Sequence, residues 1–236
     1  MDVRSRIWHT LHRLGYDIKR PPSRQTVRLL KHFGVDCVID VGANDGGFAS
    51  EIRAYGYGGR IVSFEPLNEP FNSLREKASA DGHWEAMQYA VGDEKREITI
   101  NVAGNNGASS SVLPMLDSCL EAAPHVRYVG VEKVNQDRLD RLLRPETMPN
   151  RSFLKVDVQG YEHAVLDGAT DLFAGGVIVG MQLELSLVPL YAGAMTYREG
   201  FDRAESLGMT LVRVDPIFDD PKSGQTLQVD AVFFAM

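Results

Sequence analysis

Seven short apolar runs rich in β-branched residues punctuate the chain: "CVIDVG", "GRIVSFEP", "MQYAVG", "SFLKVDV", "GVIVGMQLEL", "TLVRVD" and "VDAVFFAM". Segments of helical character such as "FASEIRAYG" and "EPFNSLREKASADG" separate most of them. A strand that is apolar without alternation must be buried on both faces, and strands alternating with helices can achieve this only in a sheet wrapped by helices. The pattern therefore predicts an α/β, doubly wound, Rossmann-like sheet of about seven strands. Its binding site belongs at the carboxyl ends of those strands. "EITINVAG" reads as an additional alternating strand in an edge hairpin, and the stretch from "NNGASSS" to "RPETMPN" reads as mixed loop and helix, where substrate elements can be inserted.

Residues 1–34 stand apart as an N-terminal helical arm, leaving 35–236 as the main domain. Ile7, Leu11, Leu14 and Ile18 fall at helical spacing, with Arg4, Arg6, Arg13, Lys19 and Arg20 around them. Such a segment can dock on the domain, form a homodimer contact, or touch an acidic membrane surface. "RPPS" then breaks the chain, and "SRQTVRLLKHFG" reads as a short helix closed by Gly34. With 236 residues, 44% of them hydrophobic and 24% charged, the chain has the length and composition for one sizeable core.

Charge and cysteine usage narrow the function. The net charge of −7, from 25 basic and 32 acidic residues, disfavours nucleic acid, whose backbone is bound by clustered Lys and Arg. A neutral, sugar-like substrate suits it better. Cys37 and Cys119 have no spaced partners for zinc or a disulfide framework, and no apolar run is long enough for a transmembrane segment or a secretory signal. A cytoplasmic protein is expected.

The turn in "VIDVGANDGGF", Val38 to Phe48, identifies the ligand class. A dinucleotide fingerprint needs a glycine two residues after the first, but Gly42 is followed by Ala43 and Asn44, and the next glycines are Gly46 and Gly47. Asp40 at the strand tip would repel a pyrophosphate yet suits a ligand carrying an ammonium or sulfonium. Glu65, ending the next strand, is placed to accept both ribose hydroxyls. Together they favour S-adenosylmethionine, with Gly42, Ala43, Asn44, Asp45 and Gly46 of the turn, and Pro66 after Glu65, as further donor contacts. Ala90 and Val91 in "YAVGD" end the third strand where an adenine would lie. In "LKVDVQGYEHAVLDGA", Asp157 sits at a fourth strand tip, Gly160 permits a tight turn, and Glu162 and His163 open a helix.

These stretches, with "SFEPLNEPFNSL" and "GASSS", resemble the FkbM-type S-adenosylmethionine-dependent methyltransferases, in that family's order and spacing, from about Val35 to Glu184. Many members O-methylate sugars in natural products, glycolipids and polysaccharides. The resemblance implies a class I methyltransferase sheet with an antiparallel last strand and a carbohydrate or glycolipid acceptor. It also implies that Ser109, Ser110 and Ser111 line the pocket. Gln159 departs from the Glu that many members carry.

Methyl transfer to a hydroxyl is an in-line displacement that needs alignment, and a base or a metal to activate the hydroxyl. The candidate catalytic residues are Asp157, His163 and Glu184, the last at a fifth strand tip; Asp157 also faces the donor. Asp157 and Glu184 are the oxygen ligands to which magnesium would bind. Two other readings stay open: a methyltransferase of protein or RNA, for which there is neither an amide or base clamp nor a basic stripe, and a non-catalytic S-adenosylmethionine-binding partner subunit.

Overall fold

A computed structural model describes Arg13 and residues 21–236. The spacing of Ile7, Leu11, Leu14 and Ile18, and with it the dimer and membrane readings of the arm, lies outside the described residues.

Seven strands form the main sheet in the order β3-β2-β1-β7-β8-β10-β9: β1 (Cys37–Val41), β2 (Arg60–Phe64), β3 (Trp84–Met87), β7 (Ser152–Val156), β8 (Ile178–Ser186), β9 (Met209–Asp219) and β10 (Thr226–Ala235). Strands β3 to β8 in that order pair in parallel, and β10 runs antiparallel to both neighbours. The doubly wound sheet with its antiparallel last strand is thus observed. Every residue of β1 and of β7 is buried, which is why these strands show no apolar–polar alternation.

Helices cover both faces. On one side α1 (Pro22–His32), α2 (Gly47–Ala54) and α3 (Asn68–Ser79) bury Val27, Leu30, Ile52 and Leu74 against Val38, Phe153 and Phe234. On the other, Leu139, Val165, Leu172 and Ala204, from α5 (Leu139–Leu142), α6 (Glu162–Asp167), α7 (Thr170–Ala174) and α8 (Tyr197–Ser206), pack on Ile39, Leu154 and Leu183; α4 is Asp117–Ala122. The helix expected before Gly34 is α1, and Gly34 takes the left-handed conformation at φ +61°. Both thiols are buried, Cys37 in β1 and Cys119 in α4, and burial pushes the Cys37 thiol up to about 11.

Across the middle of the sheet, one register row holds Ser63, Asp40, Lys155 and Gln182 on adjacent strands. All four are buried. On β1 and β7, Asp40 and Lys155 share a face with Val38 and Phe153, because strand side chains alternate with period two.

Two expectations change. "MQYAVG" is not one strand: β3 stops at Met87, and β4 (Ala90–Val91) joins a separate three-stranded sheet, β4-β6-β5. Within the stretch expected to be loop and helix lies β6 (Tyr128–Asp137), paired antiparallel to β5 (Arg96–Ala103), which is "EITINVAG". Its valines misled the pattern, since Val129 and Val131 face outward, 73% and 68% exposed, and only Val134 points into the molecule. This small sheet buries Ile98, Ile100 and Val134 against Leu67 and Ala90, so it covers the carboxyl end of the main sheet. No helix among the described residues is long and apolar enough to cross a membrane.

Candidate functional site

The strand order reverses between β1 and β7, and there the chain after β1 meets the chain after β7. Asp157 N donates to Val41 O at 3.1 Å. Gly42 adopts φ +77° so close to Asp157 that a Cβ would fall 1.8 Å from its carbonyl oxygen, so no other residue fits. A cavity opens at this crevice, the expected ligand position in an open α/β sheet. Its wall includes Gly42, Asn44, Glu65, Tyr89, Ser110 and Asp157.

Glu65 is anchored by backbone. Its Oε2 accepts from Asn44 N at 2.8 Å and its Oε1 from Leu67 N at 2.9 Å, which leaves the remaining lone pairs of both oxygens for a ligand diol. Burial lifts its carboxyl to about 7, against the pull of those two N–H groups. Pro66, Leu67, Ala90, Val91 and Ile100 supply an apolar wall beside it, a suitable bed for a planar ring.

Other turn residues do structural work. Ala43 is buried in the core; Asp45 pairs at the surface with Lys77 at 2.8 Å; Gly46, at φ +84°, lies against Trp84 and Leu74 ahead of α2. Asp40, expected to face the ligand, is fully buried and does not line the cavity. Its Oδ1 lies 3.3 Å from Lys155 Nζ, and its Oδ2 accepts from Ser63 Oγ at 3.4 Å. Lys155 Nζ also lies 3.2 Å from Asp157 Oδ2. Burial opposes the ammonium, but Asp157 and Asp40 together outweigh it and raise its pKa.

At the tips of β7 and β8 the side chains form a connected cluster. Gln159, in the left-handed region at φ +54°, donates from Nε2 to Asp157 Oδ1 at 2.9 Å and to Glu184 Oε1 at 2.8 Å. Its own Oε1 accepts from Tyr191 OH at 2.7 Å. Gln228 Nε2 donates to the same Glu184 oxygen at 2.7 Å. Burial first, and then Asp157, raise the Glu184 carboxyl well above the usual carboxylate range. Ser111 Oγ donates to Gln159 O at 2.7 Å, and Ser110 and Ser111 line the cavity. Ser109 does not; it is tied to Asn105 by hydrogen bonds of 2.9 and 3.2 Å.

His163 is exposed in the first turn of α6 and contacts the Tyr161 ring edge-on, with centroids 5.4 Å apart; it does not line the cavity, because the buried face of α6 is given to Ala164 and Val165. The expected magnesium pair, Asp157 and Glu184, has the Gln159 amide between its two carboxylates. The amide Nε2 donates to one oxygen of each.

Several residues of the site escaped the sequence reading. Lys155 carried a usable signal, being a charge in the middle of an apolar strand two residues before Asp157 and hence on its face. Tyr191 and Gln228 carried none, since they reach the cluster from distant segments.

Comparison with known proteins agrees with this geometry. The family model described as "Methyltransferase FkbM domain" matches residues 40–210. No curated protein matches significantly. Among solved structures, the methyltransferase domain of bacterial-CtHen1-CN superposes with a TM-score of 0.50 at 11% identity, covering 90% of this chain and 96% of that one. The TehB-like SAM-dependent methyltransferase from Corynebacterium glutamicum gives 0.44 at 12% identity, covering 99% and 96%. A Burkholderia thailandensis 1,6-didemethyltoxoflavin-N1-methyltransferase, bound to its substrate and S-adenosylhomocysteine, gives 0.47 at 11%, covering 99% and 87%. Of these, the match at a TM-score of 0.50 and 11% identity speaks for the fold alone, whereas the family match spans most of the chain and includes the glycine turn, Glu65 and the Asp157 loop. The chain belongs to the FkbM methyltransferase family and is an S-adenosylmethionine-dependent methyltransferase.

Proposed function

We propose that the chain transfers the methyl group of S-adenosylmethionine to a hydroxyl of a carbohydrate acceptor, such as a sugar, glycolipid or polysaccharide precursor. The observation that carries this reading is Asp157, an acid on the cavity wall whose two oxygens are held by Lys155 and Gln159. Acids and amides surround it, a donor and acceptor set suited to an uncharged polyol. Glu65, Asp157 and the carboxylates behind them also suit a sulfonium better than a pyrophosphate.

When bound, the donor supplies a methyl carbon activated by sulfonium. Glu65 would accept hydrogen bonds from the ribose hydroxyls, Gly42 and Asn44 would give room along the turn, and Pro66, Ala90 and Val91 would bed the adenine. Ser110 closes the cavity from the inserted segment. The donor would supply its methyl carbon for in-line displacement of the sulfur by the acceptor oxygen, and Asp157 is the group placed to take the hydroxyl proton. Most of the rate gain comes from alignment, with proton removal adding a factor of about 10² to 10⁴.

The test is a screen of labelled donor against oligosaccharides, glycolipids, RNA and protein. Label in a carbohydrate, reduced on the order of 10²-fold or more in Asp157→Asn at unchanged S-adenosylhomocysteine affinity, is the expected result. Label in RNA or protein alone overturns the acceptor assignment, and an unchanged rate in Asp157→Asn overturns the base.

A further inference from the structure

We infer that the Gln159 carboxamide is a positioning group that occupies the place of a cation, tying Asp157 to Glu184 so that the native chain takes no divalent ion between them. The inference rests on reading Asp157 as the acceptor end of the site. Geometry carries it. A carboxamide presents two N–H hydrogens, and Nε2 lies 2.9 Å from Asp157 Oδ1 and 2.8 Å from Glu184 Oε1; both hydrogens are therefore committed.

The end of the amide that faces the acids is fixed from outside. Tyr191 OH donates to the amide oxygen at 2.7 Å, which turns Nε2 toward the two acids. Burial raises the pKa of Tyr191, which keeps its proton on. Backbone strain is held as well: Ser111 Oγ bonds the Gln159 carbonyl at 2.7 Å while the residue sits at φ +54°, a conformation that persists only where its surroundings determine it. The next residue, Gly160, follows at φ +98°, where a Cβ would meet Ala194 Cβ at 2.9 Å.

The carboxylate oxygens that face this centre are already bonded. Asp157 Oδ2 has Lys155 Nζ at 3.2 Å, and Glu184 Oε1 has Gln228 Nε2 at 2.7 Å in addition to Gln159. A divalent ion takes carboxylate oxygens at about 2.0 to 2.6 Å, so it would have to displace N–H groups from them. It would also sit beside the Lys155 ammonium, a repulsion strengthened by burial. The amide gives the two acids a fixed separation without adding charge. A carboxylate of the same shape would reverse the arrangement, converting the central donor into a third acceptor and grouping residues 157, 159 and 184 around one point.

The experiment is a Mn²⁺ titration of the full chain, followed by water-proton relaxation, on the native protein, Gln159→Glu, Asp157→Asn and the Gln159→Glu/Asp157→Asn double variant. We expect no saturable site in the native protein that depends on Asp157. Gln159→Glu should gain one ion per chain with a dissociation constant of about 10⁻⁴ M or tighter, and the double variant should lose it. A native site that disappears in Asp157→Asn overturns the inference. So does a Gln159→Glu variant that is folded by circular dichroism and takes no ion. If that variant does not fold, the native protein and Asp157→Asn decide the question alone. The titration needs neither donor nor acceptor, so its failure leaves the methyl-transfer reading intact, and the acceptor screen can fail without touching it.

Discussion

The two ends of the cavity are built by different means. At the β1–β2 end, the ligand wall is made by backbone: Gly42 fits by having no side chain, and Glu65 is oriented by the N–H groups of Asn44 and Leu67. At the β7–β8 end, Asp157 and Gln159 line the wall and are held by side chains from separate segments behind it, Glu184, Tyr191 and Gln228. Backbone construction suits a ligand that is always the same. Side-chain construction permits the partner to change by substitution while the frame stands, and it is the end where an acceptor would be selected.

The largest test of this contrast is Gly42→Ala. A methyl 1.8 Å from the Asp157 carbonyl, on a residue at φ +77°, must force β1 and β7 apart, and the combined overpacking and strain is on the order of 4 kcal/mol. Thermal unfolding should show a clear fall in Tm, with S-adenosylhomocysteine binding lost. Normal binding in this variant would break the comparison, because the turn would then not be a backbone fit.

Next in size is Glu65→Ala, which should weaken S-adenosylhomocysteine by roughly 1.5 to 3 kcal/mol in calorimetry, as charge-assisted hydrogen bonds are lost. The same carboxylate gives a pH signature. Its pKa of about 7 in the free protein means that the charged, accepting form is lost as pH falls through 7, so affinity is full above that value and declines below it. Between pH 8 and pH 6 the dissociation constant should rise about tenfold, since one pKa unit corresponds to about 1.4 kcal/mol. A flat profile would mean that the ligand does not meet this carboxylate.

On the side-chain end, Tyr191→Phe leaves the Gln159 oxygen without its donor and should cost about 1 kcal/mol of stability in chemical denaturation. Donor affinity should not change. His163→Ala should leave the methyl-transfer rate at the native level, because the ring is exposed and off the cavity; a large loss of rate would restore histidine as the base.

The same contrast explains what could be read in advance. β1, β2, β7 and β8 announced themselves because central parallel strands are apolar on both faces, and the Gly42 turn and Glu65 are local patterns within about 30 residues. The burial of Asp40 against Lys155 was not legible, because a strand-tip acid looks alike whether it faces a ligand or a lysine on the neighbouring strand; only the β1–β7 register places Lys155 beside it. The outward position of His163 was not legible, because the start of a six-residue helix does not tell which residue turns outward. β6 was hidden by Val129 and Val131, apolar residues on the outer face, and its pairing depends on β5 some 30 residues away. Tyr191 and Gln228 join the cluster only after the sheet has closed, and no spacing along the chain marks them.

The buried row Ser63, Asp40, Lys155 and Gln182 also bears on how the chain finds its native alignment. Parallel strands made of Val, Ile, Leu and Phe pair almost equally well when shifted, because one apolar side chain substitutes for another. A shift of β7 by one residue would turn Lys155 to the opposite face, among Ile39 and Leu183, and leave both it and Asp40 without an opposite charge in a dry interior. Such misaligned states would carry that penalty, although apolar replacement of a buried ion pair is often neutral or stabilising once folded. The row works as a proofreading mark for strand assembly. A variant with Asp40 and Lys155 replaced together by apolar residues should refold with additional slow phases, and unchanged single-phase refolding would deny the row this role.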